Sequence, residues 1–114
     1  MKDDGLYVDH VLECILRIQR YCHGGAQDFF ASDLIQDAVL RNLQVLGEST
    51  QRISDRLKAE HQEVDWRGIA GFRNVLVHDY LGINLERVWE IVSIHLTALR
   101  LQIEAIRSEL DREE

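Results

Sequence analysis

The sequence predicts an all-α protein, an antiparallel up-and-down bundle of four main helices. Three observations carry that prediction. The 114 residues contain no proline, so no position removes a backbone donor or forces a clash inside a helical turn. Apolar residues recur at spacings of three and four along three long stretches, the period of an amphipathic helix, and no stretch alternates as a half-buried strand would. The connections between these stretches are short, which makes successive helices antiparallel neighbours. The length suits one domain over residues 1–114.

The first helix is expected from about Leu6 to Cys22, with Asp3 and Asp4 able to cap it. Val8, Val11, Leu12, Ile15, Ile18 and Cys22 form its stripe, and Gly24-Gly25 supplies a left-handed stop. Phe29 and Phe30 pack in the connection or start the next helix. Ser32 is a good N-cap, with Asp33 placed to meet the helix dipole. The second helix is expected to run from there to about His61 along Ile35, Val39, Leu43, Leu46, Thr50, Ile53 and Leu57. Gly47 sits near this stripe. Its cost of about 1 kcal/mol against alanine suggests close approach of a neighbouring helix as compensation.

Asp65 caps a third, shorter helix that Gly82 closes. Asn84 caps a fourth, from Leu85 to about Leu110, whose stripe is Leu85, Val88, Trp89, Val92, Leu96, Leu99, Ile103, Ile106 and Leu110. The acidic end, Asp111 to Glu114, reads as frayed. Two of the helices are long for so small a domain, and self-association would cover their remaining apolar faces.

Composition bounds the function. A net charge of −7 argues against broad, non-specific nucleic-acid binding. The charge is uneven, however. Between Arg41 and Arg73 six basic residues face five acidic ones, which leaves −8 on the rest, and eleven of the thirteen basic residues are arginine, the type suited to bidentate phosphate contacts. No apolar run approaches the roughly 20 residues of a membrane span, and the opening M-K-D-D-G lacks a signal peptide's apolar region. A cytoplasmic protein that does not use a membrane is the expectation. Cys14 and Cys22 lie two turns apart on one helix, about 12 Å of rise, too far for a disulfide. They read as reduced thiols, and no second Cys/His pair has zinc-ligand spacing.

The chemistry concentrates in Arg73 to Tyr80, R-N-V-L-V-H-D-Y. On a helical wheel Ile69, Phe72, Leu76 and Tyr80 share one arc, while a second arc presents Arg73, Asn74 and His78. Asn74 and His78, four positions apart, are neighbours on one face. A histidine exchanges a proton near neutral pH, and an arginine holds negative charge. Together they suit phosphodiester chemistry without a metal or other cofactor: the imidazole handles a proton of the 2′-hydroxyl or the leaving oxygen, and the guanidinium neutralises the phosphate. About 140° separates Arg73 from His78 on the wheel, so pairing two helices across a dimer would gather the groups better than one chain can. The ordinary alternative is a salt-bridged Arg73, a satisfied buried His78 and a Tyr80 in the core. His10, His23, His61, His95, Trp66 and Trp89 read as structural residues.

The run R-N-V-L-V-H-D-Y resembles the R-x-x-x-x-H-x-Y motif of the HEPN superfamily, in its HepT-like branch. The likeness extends to L-Y-V-D-H-V-L-E-C-I-x-R-I at the start, L-x-x-L-G-E at Leu43 to Glu48, and W-R-x-I-x-G-F-R-N from Trp66 to Asn74. The resemblance implies a homodimeric helical toxin acting as a metal-independent ribonuclease, with two copies of catalytic Arg73 and His78 near the dimer axis and Asn74 in support. It also implies an MntA-like nucleotidyltransferase antitoxin that transfers AMP to Tyr80. Two other functions fit the same residues: a non-catalytic module whose Arg/His groove holds a nucleotide or docks a nucleotidyltransferase, and a structural helical dimer.

Overall fold

The computed structural model describes residues 2–77 and 84–113, with the side chains of residues 3–72 and 84–113. The described residues are helical and contain no strand. They form α1 (Lys2–Tyr21), α2 (Gly25–Ala31), α3 (Asp33–Arg52), α4 (Asp55–Glu60), α5 (Trp66–Val77), α6 (Leu85–Glu90), a π-helical turn (Ile91–His95) and α7 (Leu96–Glu113). The backbone stays in the right-handed helical region at both ends of the π turn, so residues 85–113 make one long helix with a widened turn inside it.

The four main helices are α1, α3, α5 and the composite α6–α7, with α2 and α4 as short corners. Antiparallel packing is visible in the ties between them. Asp4, near the start of α1, bonds Ser54, just past the end of α3. Arg100 Nη1 donates to Gln19 Oε1 at 2.9 Å, and Arg107 pairs with Asp9, so α7 runs back along α1. The core lies among these helices: Val8, Val11, Ile15 and Ile18 from α1, Val39, Leu43 and Leu46 from α3, and Leu96, Ile103 and Ile106 from α7 are all essentially fully buried. Each such side chain contributes about 1.5–3 kcal/mol on burial.

Three caps stand where the residue types place them. Ser32 Oγ accepts from Ile35 N at 3.1 Å, Asp65 Oδ1 from Gly68 N at 2.9 Å, and Asn84 Oδ1 from Arg87 N at 3.1 Å. Gly25 supplies the positive φ, +84°, and α2 starts on it. The closure of α5 at Gly82 lies outside the described residues.

Three expectations need correction. The second helix does not continue to His61. It stops at Arg52, Ile53 turns extended, and Ser54 caps α4 by accepting from Leu57 N at 3.1 Å. Asp4 is no N-cap either. It lies inside α1, is only 4% exposed, and takes the Ser54 backbone N–H at 2.8 Å and the Ser54 hydroxyl at 2.7 Å. Gly47 is buried, yet a Cβ built there meets no atom within 4 Å, so no close helix approach compensates its cost. The fourth helix has the expected start, but its π turn adds Ile91 to the core. Within it the Leu96 N–H bonds the Ile91 carbonyl, while the Ser93 hydroxyl donates to the Trp89 carbonyl at 2.7 Å. Such back-bonding from a serine loosens the helical ladder locally.

Candidate functional site

The helix that carries the first two expected site residues, Arg73 and Asn74, is α5. Trp66 anchors its start through Nε1, which donates to the His61 carbonyl at 2.9 Å, and Asp65 caps it. Ile69 and Phe72 are buried at 3% and 7% exposure, as the wheel requires for the anchoring arc. The backbone of Arg73 and Asn74 lies in the last turns of α5. Arg73 follows buried Ile69 by one turn, and Asn74 follows exposed Ala70 by one turn. His78 and Tyr80 lie outside the described residues, so the structure does not place the four expected site residues together.

A cleft of about 270 Å³ lies along the first turns of α5 and opens between it and the long C-terminal helix. Asp65, Gly68, Ile69 and Phe72 form one wall, and Ile94, Ala98, Leu99 and Gln102 the other. The π turn shapes the second wall. By widening the helix at Ile91–His95 it keeps Ile91 and Val92 inside while Ile94, 63% exposed, and His95 reach the cleft. Single π turns inside α-helices occur frequently at functional sites.

Charge at the mouth is mixed. Arg87 and His95 line the cleft opposite the carboxylates of Glu63 and Asp65. Arg87 Nη1 pairs with Glu90, and His95 Nε2 lies 4.0 Å from the same Glu90 oxygen. These pairs are about half exposed and contribute little to stability. Their effect is to hold the Arg87 and His95 side chains beside the cleft. Sequence reasoning treated His95 as structural and gave Arg87 no role. Their spacing of eight positions, two turns of one helix, is the only signal that joins them.

His61 is also more than a packing residue. It is 8% exposed and lies between two carboxylates, with Nδ1 3.2 Å from Glu63 Oε2 and Nε2 3.4 Å from Glu109 Oε2. The Nε2 contact has an ion pair's distance without a hydrogen bond's alignment, so that buried nitrogen has no hydrogen-bond partner. Glu63's own backbone N–H and, after it, the His61 ring hold the Glu63 carboxyl below its ordinary pKa. Both thiols are free, Cys14 buried and Cys22 half-buried. Burial raises both pKa values, Cys22 to about 11. Among the described residues no three His, Cys, Asp or Glu side chains cluster as metal ligands, and no helix is long and apolar enough to cross a membrane.

Comparison with known proteins covers the helices that build this cleft. The family profile Ribonuclease HepT-like matches residues 11–106. A Methanocaldococcus jannaschii protein named "Gamma-glutamylcyclotransferase and putative RNase" is 32% identical over 97% of this chain, which spans 50% of that protein's length. A Thermococcus cleftensis protein named "Probable ribonuclease HepT" is 29% identical over 89% of this chain and 93% of its own. The Shewanella oneidensis protein named "mRNA nuclease HepT" is 27% identical over 87% of this chain and 92% of its own. No solved structure matches significantly. With the profile spanning most of the bundle, α5 and the π turn included, the chain belongs to the HepT-like ribonuclease family of the HEPN superfamily.

Proposed function

We propose that the chain is the toxin of a toxin–antitoxin pair: a homodimeric, metal-independent endoribonuclease whose site combines Arg73 and His78 of both copies. Asn74 supports the site, and AMP transfer to Tyr80 silences it. The observation that carries this reading is the family match across residues 11–106, which encloses the whole R-N-V-L-V-H-D-Y run.

The chemistry follows from the residue types. One His78 imidazole takes the proton of an RNA 2′-hydroxyl, and that oxygen attacks the adjacent phosphorus. The P–O5′ bond breaks, the second His78 protonates the departing 5′-oxygen, and a 2′,3′-cyclic phosphate and a 5′-hydroxyl remain. The Arg73 guanidinium neutralises the charge that builds on the phosphate oxygens. Asn74, four positions before His78 in the sequence, orients the imidazole or the scissile phosphate. Silencing forms one bond and breaks one: the Tyr80 phenolic oxygen attacks the α-phosphorus of ATP, and pyrophosphate leaves. The AMP phosphate repels the RNA backbone, and its bulk occupies the RNA path.

An exposed seam supports self-association. Ile94 and Leu101 are 63% and 65% exposed, and with exposed Ala98 and Ala105 they recur at spacings of four, three and four along the long C-terminal helix. Such a row is apolar, narrow and free of charge, which suits a second helix packed across a twofold axis. It borders the cleft beside α5, so the same contact would bring two copies of α5 towards one another.

The test is growth inhibition on expression, alone and with an MntA-like nucleotidyltransferase. Wild-type chain is expected to arrest growth unless the transferase is present, whereas folded Arg73→Ala and His78→Ala dimers are expected to be harmless. Toxicity undiminished in both variants rejects the reading.

A further inference from the structure

The α2–α3 corner carries an apolar surface that neither the core nor the cleft uses. Leu34 is 81% exposed and Phe30 43%. Phe30 stands edge-on to buried Phe29, ring centres 5.1 Å apart, and 6.3 Å from the half-buried Trp89 ring of α6. The corner is held in shape. Ser32 caps α3, and the Gln36 amide donates to the carbonyls of Phe29 at 3.0 Å and Phe30 at 3.3 Å. Two large apolar side chains are thus presented to water on a backbone that is already ordered, the arrangement in which a contact costs little further entropy.

The rim of this patch is acidic. Asp33 and Asp37 flank Leu34 on α3, and Glu86 lies one turn before Trp89 on α6; all three are exposed. Asp33 and Glu86 also meet helix dipoles, but Asp37 stands beyond the first turn. No dipole requires the other feature, the absence of any lysine or arginine from Tyr21 to Leu40. A field of this sign repels an RNA backbone. It also disfavours a second copy, because an isologous contact would set the same carboxylates against each other. The charge fits a partner that offers an apolar socket rimmed by lysine and arginine, with the aromatic pair as its anchor.

The geometry points to this corner, Phe30, Leu34 and Trp89 within their acidic rim, as the docking site for a basic protein partner. Resting on the reading above, that partner is the nucleotidyltransferase that modifies Tyr80. The corner includes α6, whose cap Asn84 follows Tyr80 by four positions, so a partner gripping Trp89 is held close in the chain to its acceptor.

The experiment titrates purified transferase into the purified full chain by calorimetry, for wild type, Leu34→Asp and the pair Asp33→Lys with Asp37→Lys. AMP transfer, RNA cleavage and oligomeric state are measured on the same samples. Leu34 is so exposed that its replacement leaves the fold intact. Binding is expected to weaken about tenfold or more in both variants, with AMP transfer slowed at limiting transferase and with cleavage and oligomeric state unchanged. Wild-type affinity is also expected to fall as salt rises. Unchanged binding by both variants overturns the docking site and leaves the neutralisation reading standing. A wild-type chain that neither binds nor accepts AMP sinks that reading, and the docking site with it. Loss of self-association in Leu34→Asp assigns the corner to a second copy and also overturns the proposal.

Discussion

Asp4 and Ser54 are joined by a two-pronged contact across fifty positions of sequence. One carboxylate oxygen accepts the Ser54 backbone N–H at 2.8 Å, and the other accepts its hydroxyl at 2.7 Å. The same hydroxyl oxygen accepts the Leu57 N–H that opens α4. The contact fixes where α3 ends, and it sets the entry of the segment that leads through His61 to α5. It therefore lies upstream, in the chain and in the packing, of the helix that carries Arg73.

Removing this carboxylate strands donors in a nearly buried place. Asp4→Ala is expected to destabilise the fold by about 2 kcal/mol, the cost of leaving such groups unpaired. Urea unfolding of Asp4→Ala, Ser54→Ala and the double variant measures the coupling. Additive losses would show that the two residues act separately.

Gly47 gives the opposite sign. Its missing side chain leaves open space inside a helix, so Gly47→Ala is expected to stabilise by about 1 kcal/mol. Thermal unfolding checks this, and a lower melting temperature would mean that the gap is not free to be filled.

The thiols set a pH dependence. Burial raises the folded pKa of Cys22 to about 11 from a thiol's ordinary 9.0. The folded chain therefore holds its thiol proton over a range where the unfolded chain has lost it, and the stability this contributes is present below about pH 9 and lost as pH climbs towards 11. Stability should fall across that alkaline window and be flatter in Cys22→Ser. In the folded protein, alkylation of Cys22 should keep accelerating to about pH 11.

The seam on α7 predicts an effect on assembly. Leu101→Glu places a charge where the side chain is already 65% exposed, so the subunit should stay folded while the proposed dimer dissociates. Sedimentation velocity reads the mass, and cleavage should fall with it if the site is shared. A dimer unaffected by Leu101→Glu and by Ile94→Glu would move the interface elsewhere.

The bundle was legible because period and caps agreed. Val39, Leu43 and Leu46 repeat at helical spacing, and Ser32, Asp65 and Asn84 stand where side-chain oxygens meet free N–H groups. The break at Ile53–Ser54 was not, because Ile53 and Leu57 continue the stripe across it and the partner that forces the break is fifty positions away. The π turn was hidden for a similar reason: a stripe read at spacings of three and four passes through Val92 and Leu96 without showing the extra residue. The roles of Arg87 and His95 depend on that turn, so the cleft's second wall could not be read from the chain. Arg73, Asn74, His78 and Tyr80 were legible as a motif, and of these the structure places the backbone of Arg73 and Asn74 on α5.

The central claim is that guanidinium and imidazole groups of this one segment cut RNA. Its most direct test is cleavage of a defined RNA by purified protein in the presence of EDTA, comparing wild type with Arg73→Ala and His78→Ala. Wild type is predicted to yield ends bearing a 2′,3′-cyclic phosphate, with each variant slower by about a hundredfold or more at unchanged dimer mass and melting temperature. Folded variants that cut as fast as wild type would contradict the account.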